Sequence, residues 1–242
     1  MVQPAGHQEP RARRIWQLCL ALAVAALLSA CSFATPKNEV TPKPPAPKLV
    51  LIGDSYSTLD SQRGVTYPWP EQVRDAWGVS DEDCTIYRHG GYGFGVPGHH
   101  FIDFLSDAPR DPAVTHVLIV GGAGNDRELP KEDAISWYLT TFDRLRELYP
   151  NAIIVHTITS WDLRDAAYRA AIVERIPWYK EAALQSGVVY LDGCETAIRG
   201  RPECFLSDGR HPSQEGQQAI GAAIIDALRS RGFLPSWRTA DE

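Results

Sequence analysis

The sequence predicts a three-layer α/β/α sandwich built on a five-stranded parallel sheet. Apolar runs rich in Val, Ile and Leu alternate along the chain with segments of helical periodicity. This alternation is typical of strands joined by right-handed helical crossovers. Continuous apolar runs also indicate strands buried on both faces, which favours a parallel sheet with helices on either side. The predicted strands are 48–53, 84–89, 115–121, 151–158 and 188–192.

Helical spacing of apolar residues predicts five helices between and after these strands. The clearest is the third, in which Ile135, Leu139 and Phe142 keep helical spacing before Pro150 ends the pattern. Inside the fourth, Pro177 is expected to kink or divide the helix. The predicted helices cover about 68–77, 99–107, 131–149, 166–186 and 213–231.

The first 30 residues have the pattern of an export signal. Three arginines between positions 11 and 14 precede the apolar stretch 15–28, which is of signal-peptide length and short for a membrane span. The stretch ends in Leu-Ser-Ala followed by Cys31, which resembles a bacterial lipobox and predicts lipidation of Cys31 after cleavage. The alternative is ordinary cleavage after a small residue, which would give a secreted protein with Cys31 incidental.

The rest of the chain divides into a linker and one domain. Residues 1–30 are the predicted signal peptide, and the proline-rich residues 31–47 are a predicted semi-rigid tether that holds the domain away from a membrane. Residues 48–242 are long enough for a single domain with its own core. The chain carries a formal net charge of −6 and no basic patch with interleaved aromatics, so nucleic acid is not an expected partner.

Three cysteines remain beyond Cys31. Outside the cytoplasm disulfides persist, and a bond between Cys194 and Cys204 would close a short loop, so this pair is the predicted disulfide. Cys84, on a predicted strand, is then expected to be a buried free thiol. No Cys or His spacing is typical of a zinc site, so the sequence predicts neither a metal site nor a cofactor.

Three residues have the types and surroundings needed for nucleophilic catalysis. Ser55 follows Gly53 and Asp54 directly after the first predicted strand, and Asp208 and His211 lie just before the last predicted helix. A serine hydroxyl becomes a nucleophile when a base takes its proton and a third group orients that base. Ser55, His211 and Asp208 are therefore the candidate nucleophile, base and orienting acid.

Asn125 is the candidate oxyanion donor. It lies in a glycine-rich loop after the third predicted strand, where its side-chain amide is suited to a developing negative charge. The alternative is a turn asparagine that bonds its own backbone.

Taken in order, these blocks resemble the SGNH hydrolases, or GDSL-like esterase and lipase superfamily. The matching blocks are Gly53 to Ser57, the glycine loop 89–95, Asn125-Asp126 and Asp208 to His211, so the resemblance covers roughly residues 48–231. It implies a flavodoxin-like SGNH hydrolase fold and an oxyanion hole formed by Ser55, Gly93 and Asn125. It also implies that Asp54, and similarly Asp126, supports its loop and is not the acid of the triad. Four glycines between positions 90 and 95 leave other candidates for the glycine donor. The chain also lacks the usual glycine two positions before the asparagine, where Ala123 stands.

The resemblance implies a serine esterase that cleaves short-chain or acetyl esters of a small molecule, lipid or glycan. Two alternatives stay open at this point. One is an acyltransferase that uses the same triad on an envelope glycan, and the other is a non-catalytic lipoprotein that binds glycans. The export signal places any of these outside the cytoplasm, anchored to the membrane by lipid at Cys31 or secreted.

Overall fold

The computed structural model describes residues 46–234. The predicted signal peptide, the lipidation at Cys31 and nearly all of the tether 31–47 lie outside these residues. Within the described part of the chain, no helix combines the length and the apolar content needed to cross a bilayer.

The predicted five-stranded parallel sheet is confirmed. Its strands lie in the order β2-β1-β3-β4-β5, and every neighbouring pair is parallel. The last strand is shorter than predicted: it ends at Tyr190, and Gly193, with φ 91°, begins a 3-10 turn soon after it. The strands are β1 Leu49–Gly53, β2 Cys84–Arg88, β3 His116–Val120, β4 Ile153–Thr157 and β5 Val189–Tyr190.

Four of the five predicted helices are α-helices with nearly the predicted bounds. The predicted helix over 99–107 is only a short 3-10 helix, Phe101–Leu105, and it cannot start earlier because a backbone bridge to Gly93 holds His100 extended, with ψ 145°. Pro177 lies inside the fourth helix without dividing it. The helices are α1 Trp69–Trp77, α2 Lys131–Leu148, α3 Ala166–Ser186 and α4 Gln214–Ser230.

Alternate residues of the strands enter two separate cores, which gives the predicted three layers. On one face, Val50 and Ile52 of β1 pack with aromatic residues of α2 and α3, including Tyr138 and Tyr179. On the other face, strand residues such as Leu51 belong to the core cluster of α1 and α4. Because the sheet is parallel, the carboxyl ends of β1, β2 and β3 lie at the same edge of the sheet.

The predicted disulfide between Cys194 and Cys204 is wrong, and both residues are buried free thiols. Each begins or ends its own 3-10 turn and packs separately into the core beneath α1 and α4. Burial raises the pKa of the Cys194 thiol to about 11. Cys84 on β2 is a free thiol as predicted, although it is only half-buried.

Candidate active site

Ser55 begins a tight 3-10 turn, Ser55–Ser57, directly beyond β1. The carboxylate of Asp54 caps this turn by accepting the Tyr56 amide at 2.9 Å, as expected for an N-cap aspartate. Gly53 is needed before the turn, since a Cβ at that position would lie 2.6 Å from the Ser57 hydroxyl oxygen. The backbone of β1 and this cap together fix where Ser55 lies at the sheet edge.

Asp208 and His211 lie in the turn that precedes α4. The Asp208 carboxylate accepts the Arg210 and His211 amides at 2.9 Å through Oδ1, and Nδ1 of the His211 ring at 2.8 Å through Oδ2. Partial burial alone would raise the pKa of Asp208, but these hydrogen bonds hold it below its usual range. Asp208 is therefore ionised at neutral pH and fixes the His211 ring with Nε2 free to face another group.

Ser55 and His211 line the same small cavity, although the sequence separates them by about 150 residues. Thr58, Leu206 and Pro212 are among the other residues around it. Within residues 46–234, no hydrogen bond joins the Ser55 hydroxyl to the His211 ring. Catalytic hydrogen bonds are often long before substrate binds and shorten in the complex.

Asn125 follows β3 in the loop that faces the glycine loop of β2. One N–H of its side-chain amide donates to the Tyr92 carbonyl at 2.7 Å. An asparagine amide has two N–H groups, so a second donor remains. Asn125 thus joins the loops beyond β3 and β2, and its interaction partner is not its own backbone.

The prediction that Gly93 donates to the oxyanion does not fit the structure. Its amide donates to the His99 carbonyl at 3.1 Å, and a Cβ at Gly93 would lie 2.4 Å from an Asp126 oxygen. Gly93 is therefore a packing glycine in a backbone bridge. In the same loop, Gly90 is close to the nucleophile candidate, since a Cβ built on it would lie 3.6 Å from the Ser55 Cβ.

Asp54 and Asp126 accept backbone amides of the loops that carry the site, in keeping with the structural role expected of them. Asp126 is fully buried and accepts the Phe94 and Gly95 amides at 3.0 Å and the Tyr179 hydroxyl at 2.9 Å. Burial raises the pKa of Asp126 to about 6 and that of Asp54 to about 7. Both carboxyls act through the loops they hold.

Arg175 of α3 anchors the Asn125 loop from the other side. Only 4% of this residue is exposed, and its guanidinium donates to the carbonyls of Asp126 at 3.2 Å and Leu129 at 2.9 Å, and also to that of Arg127. Sequence reasoning missed Arg175 because its helical position gives no sign of what it contacts.

The site also depends on other residues that the sequence did not single out. Gln217 of α4 is buried, donates to the Tyr56 carbonyl at 2.9 Å and accepts the Trp69 amide at 3.0 Å. Nε of Arg210 lies 2.6 Å from an Asp162 oxygen. The sequence carries no local signal for these contacts, because each joins residues that lie far apart in the chain.

A polar cleft of about 530 Å³ opens beside His211. Apart from Ala166, every residue that lines it is charged or titratable. The charged residues come from the loop after β4 and from the turn before α4, which makes the cleft a neighbour of the candidate triad. The lining residues are Asp162, Arg164, Asp165, Ala166, Asp208, Arg210 and His211.

Comparison with known proteins shows the family and fold of the chain. The model of the GDSL-like Lipase/Acylhydrolase family matches residues 51–219. No curated protein sequence matches the chain. Among solved structures, a family two carbohydrate esterase from Clostridium thermocellum, in complex with cellohexaose, has 18% identity and a TM-score of 0.58 and covers 80% of this chain and 67% of its own.

Two other solved structures have similar scores. The esterase EstA from Pseudoalteromonas sp. has 17% identity and a TM-score of 0.56, covering 76% of this chain and 97% of its own. Phospholipase A1 from Streptomyces albidoflavus has 17% identity and a TM-score of 0.54, with 76% and 99% covered. At these identities the likeness shows a shared fold.

A serine turn beyond the first strand of a parallel sheet, with an Asp-His turn before the last helix, is the arrangement of an α/β/α hydrolase. The family match covers well over half of the chain. The chain belongs to the GDSL-like lipase/acylhydrolase family, the SGNH hydrolases, and is a carboxylic ester hydrolase.

Proposed function

We propose that the protein is a serine esterase in which Ser55 is the nucleophile, His211 the general base and Asp208 the residue that orients it. The contact between the Asp208 carboxylate and Nδ1 of His211 at 2.8 Å carries the proposal. It leaves Nε2 of the ring for the Ser55 hydroxyl, and both residues line one cavity. This is the division of roles that activates a serine at neutral pH.

The reaction then runs in two acyl-transfer steps. Ser55 Oγ attacks the ester carbonyl carbon as its proton passes to His211 Nε2, and the same proton goes to the alcohol that leaves. Water attacks the acyl-enzyme, gives a proton to His211 and releases the acid, after which Ser55 regains its proton. The amides of Ser55 and Gly90 and the second N–H of Asn125 are the proposed donors to the oxyanion.

The polar cleft favours a polar alcohol as the leaving group. A cleft lined by carboxylates and guanidinium groups can bond the hydroxyls of a sugar or polyol. The cavity shared by Ser55 and His211 is small, which suits a short acyl group. We therefore propose acetyl or other short-chain esters of a glycan or polyol as the substrate class.

Hydrolysis is favoured over acyl transfer because the cleft is open to solvent. A transferase has to exclude water from its acyl-enzyme so that a sugar hydroxyl can compete. A glycan-binding protein without catalysis would not need the Asp208–His211 contact.

The test compares the full-length protein with Ser55→Ala. Hydrolysis of p-nitrophenyl acetate, butyrate and octanoate gives the acyl preference, and acetylated xylan gives acetate release from a glycan. We expect turnover that is highest for acetate, is lost in Ser55→Ala, and is accompanied by fluorophosphonate labelling of wild type alone. A folded wild type with neither turnover nor labelling would leave the glycan-binding alternative.

We further propose that the protein is exported and anchored by lipid at Cys31. The basic start, the apolar stretch and the Leu-Ser-Ala-Cys sequence support this assignment. Metabolic labelling with an alkyne palmitate analogue in a bacterial host should label the wild type and not Cys31→Ala. Equal labelling of both forms would refute lipidation at this cysteine, and release of unlabelled wild type into the medium would support secretion.

A further inference from the structure

A short loop after the Ser55 turn reaches across to the Asp208–His211 pair. The arginine loop, residues 58–66, is closed by a backbone bridge in which Asp60 and Val65 exchange hydrogen bonds of 2.9 and 2.8 Å. Gly64 has φ 82° and completes the 3-10 turn that presents Arg63. Together with Ser55 and His211, the loop forms the wall of the small cavity.

Arg63 holds two carboxylates at once. Its Nε lies 2.6 Å from an Asp60 oxygen, and its Nη1 lies 2.8 Å from Oδ2 of Asp208. That Oδ2 atom also accepts Nδ1 of His211 at 2.8 Å. One carboxylate oxygen is thus shared between the imidazole and a permanent cation.

We infer that Arg63 is a positioning residue that limits the basicity of His211 through the Asp208 oxygen they share. The inference rests on the proposed function, in which His211 must be neutral to accept the Ser55 proton. An ionised Asp208 stabilises the imidazolium, whereas the Arg63 charge offsets part of that effect. Arg63 therefore keeps more of His211 in the basic form at mildly acidic pH.

The other charged groups around His211 do not duplicate this role. Arg210 lies 2.6 Å from Asp162 and 3.7 Å from Asp165, so its charge is offset by those carboxylates. Arg164 lies across the Asp208 turn, where its guanidinium bonds the Ser207 carbonyl. The Tyr56 ring is 6.4 Å from the His211 ring, and burial keeps its hydroxyl neutral by raising its pKa.

The experiment measures kcat/KM for p-nitrophenyl acetate from pH 4.5 to 9 in wild type, Arg63→Gln and Arg63→Lys. The acid limb reports protonation of His211. We expect Arg63→Gln to shift the midpoint of this limb to higher pH. Because Arg63 is partly exposed, the shift should be modest, about 0.5–1 pH unit. Arg63→Lys keeps the charge and should stay within about 0.3 units of wild type. Arg229→Gln, which removes an equal charge from the exposed end of α4, is the matched control with an unchanged limb.

Asp60→Asn separates electrostatics from loop anchoring. Without the Asp60 carboxylate, less of the positive charge of Arg63 is neutralised. The midpoint of the acid limb should therefore shift to lower pH, opposite to the shift in Arg63→Gln. The inference would be overturned if the acid limb shifted in the same direction in both variants. It would also be overturned if Arg63→Gln kept the wild-type midpoint while kcat fell, since the loop would then be purely structural.

A titration without turnover distinguishes failure of this inference from failure of the proposed function. In a Ser55→Ala background, ¹³C-histidine NMR follows the His211 resonance, assigned by its loss in His211→Gln. A higher His211 midpoint in Arg63→Gln than in the Ser55→Ala parent supports the coupling, and equal midpoints refute it. Absence of esterase turnover in wild type would count against the proposed function alone.

Discussion

The hydroxyl of Tyr56 lies 2.6 Å from the carbonyl oxygen of Arg210. Tyr56 is the residue after Ser55, and Arg210 is the residue before His211. The same hydroxyl also accepts the Trp161 amide at 3.0 Å, so the loop after β4 is joined to this contact. A single buried phenol therefore connects the serine turn, the histidine turn and the loop that lines the polar cleft.

Replacing Tyr56 with Phe should weaken both catalysis and folding. The change removes the hydroxyl donor shared by the Arg210 and Trp161 carbonyls and leaves the Trp161 amide without its acceptor, which typically costs about 1–3 kcal/mol for buried groups. We expect the free energy of unfolding in urea to fall by that amount. We also expect kcat/KM for p-nitrophenyl acetate to fall about tenfold, because a small misplacement of a base relative to its nucleophile slows the reaction.

Tyr67→Phe is the matched control, since Tyr67 is partly exposed and its hydroxyl bonds the surface residue Asp75. It should change stability by less than about 1 kcal/mol and leave kcat/KM unaltered. A Tyr56→Phe protein as active as the control would show that the phenol does not set the distance between the two turns.

Arg175→Lys should remove hydrogen bonds that fix the Asn125 loop. A lysine keeps the positive charge but has no planar fork, so it cannot serve the separate carbonyls that the guanidinium reaches. We expect kcat to fall about tenfold or more, with a smaller change in KM, if the Asn125 amide contributes chiefly to the transition state. Arg229→Lys on the exposed end of α4 is the control. If Arg175→Lys changed KM alone, the loop would contribute to substrate binding and not specifically to the transition state.

Asp208→Asn should lower kcat by about 10³–10⁴-fold while the fold persists, because an amide leaves the imidazole in the wrong tautomer. The asparagine oxygen can still accept the backbone amides of Arg210 and His211, so the turn itself is retained. Circular dichroism and kinetics of the two proteins test this, with the exposed Asp107→Asn as control. A loss below tenfold would exclude Asp208 as the residue that orients His211.

Local patterns predicted much of this fold. The apolar run 48–53 followed by Gly53-Asp54-Ser55 predicts a strand and turn that the structure contains. Here hydrophobic periodicity and turn chemistry act on neighbouring residues, so both are visible in one stretch of sequence. The helix over 166–186 was likewise predicted with its observed bounds, although Pro177 was expected to kink or divide it.

Contacts between distant segments account for what the sequence did not predict. The 99–107 segment has helical spacing, yet a backbone bridge to Gly93 holds His100 extended, and this same bridge occupies the amide of Gly93. The free Cys194 and Cys204 show that proximity in sequence does not bring two thiols into bonding geometry. Arg63 and Asp208 are 145 residues apart, and no local pattern marks them as partners.

The buried His156 should make the protein less stable at acidic pH. His156 belongs to β4, its ring Nε2 is 3.1 Å from the Gly121 carbonyl oxygen, and burial lowers its pKa to about 4. The unfolded chain, with a histidine pKa near 6.5, takes up the proton first as pH falls. The stability that neutral His156 contributes is therefore complete above about pH 6.5 and is lost as pH falls toward 4, by about 3 kcal/mol.

The measurement is the difference in unfolding free energy between wild type and His156→Gln, whose amide can reach the Gly121 carbonyl, from pH 7.5 to 4. Asp54 and Asp126 act in the opposite direction, because burial raises their pKa values and the folded state gains stability as they become protonated. Both carboxyls are present in the two proteins, so their effect cancels in the difference. Wild type should lose stability relative to the variant below about pH 6.5. A difference that stays constant with pH would mean that His156 is as easily protonated in the folded protein as in the unfolded chain.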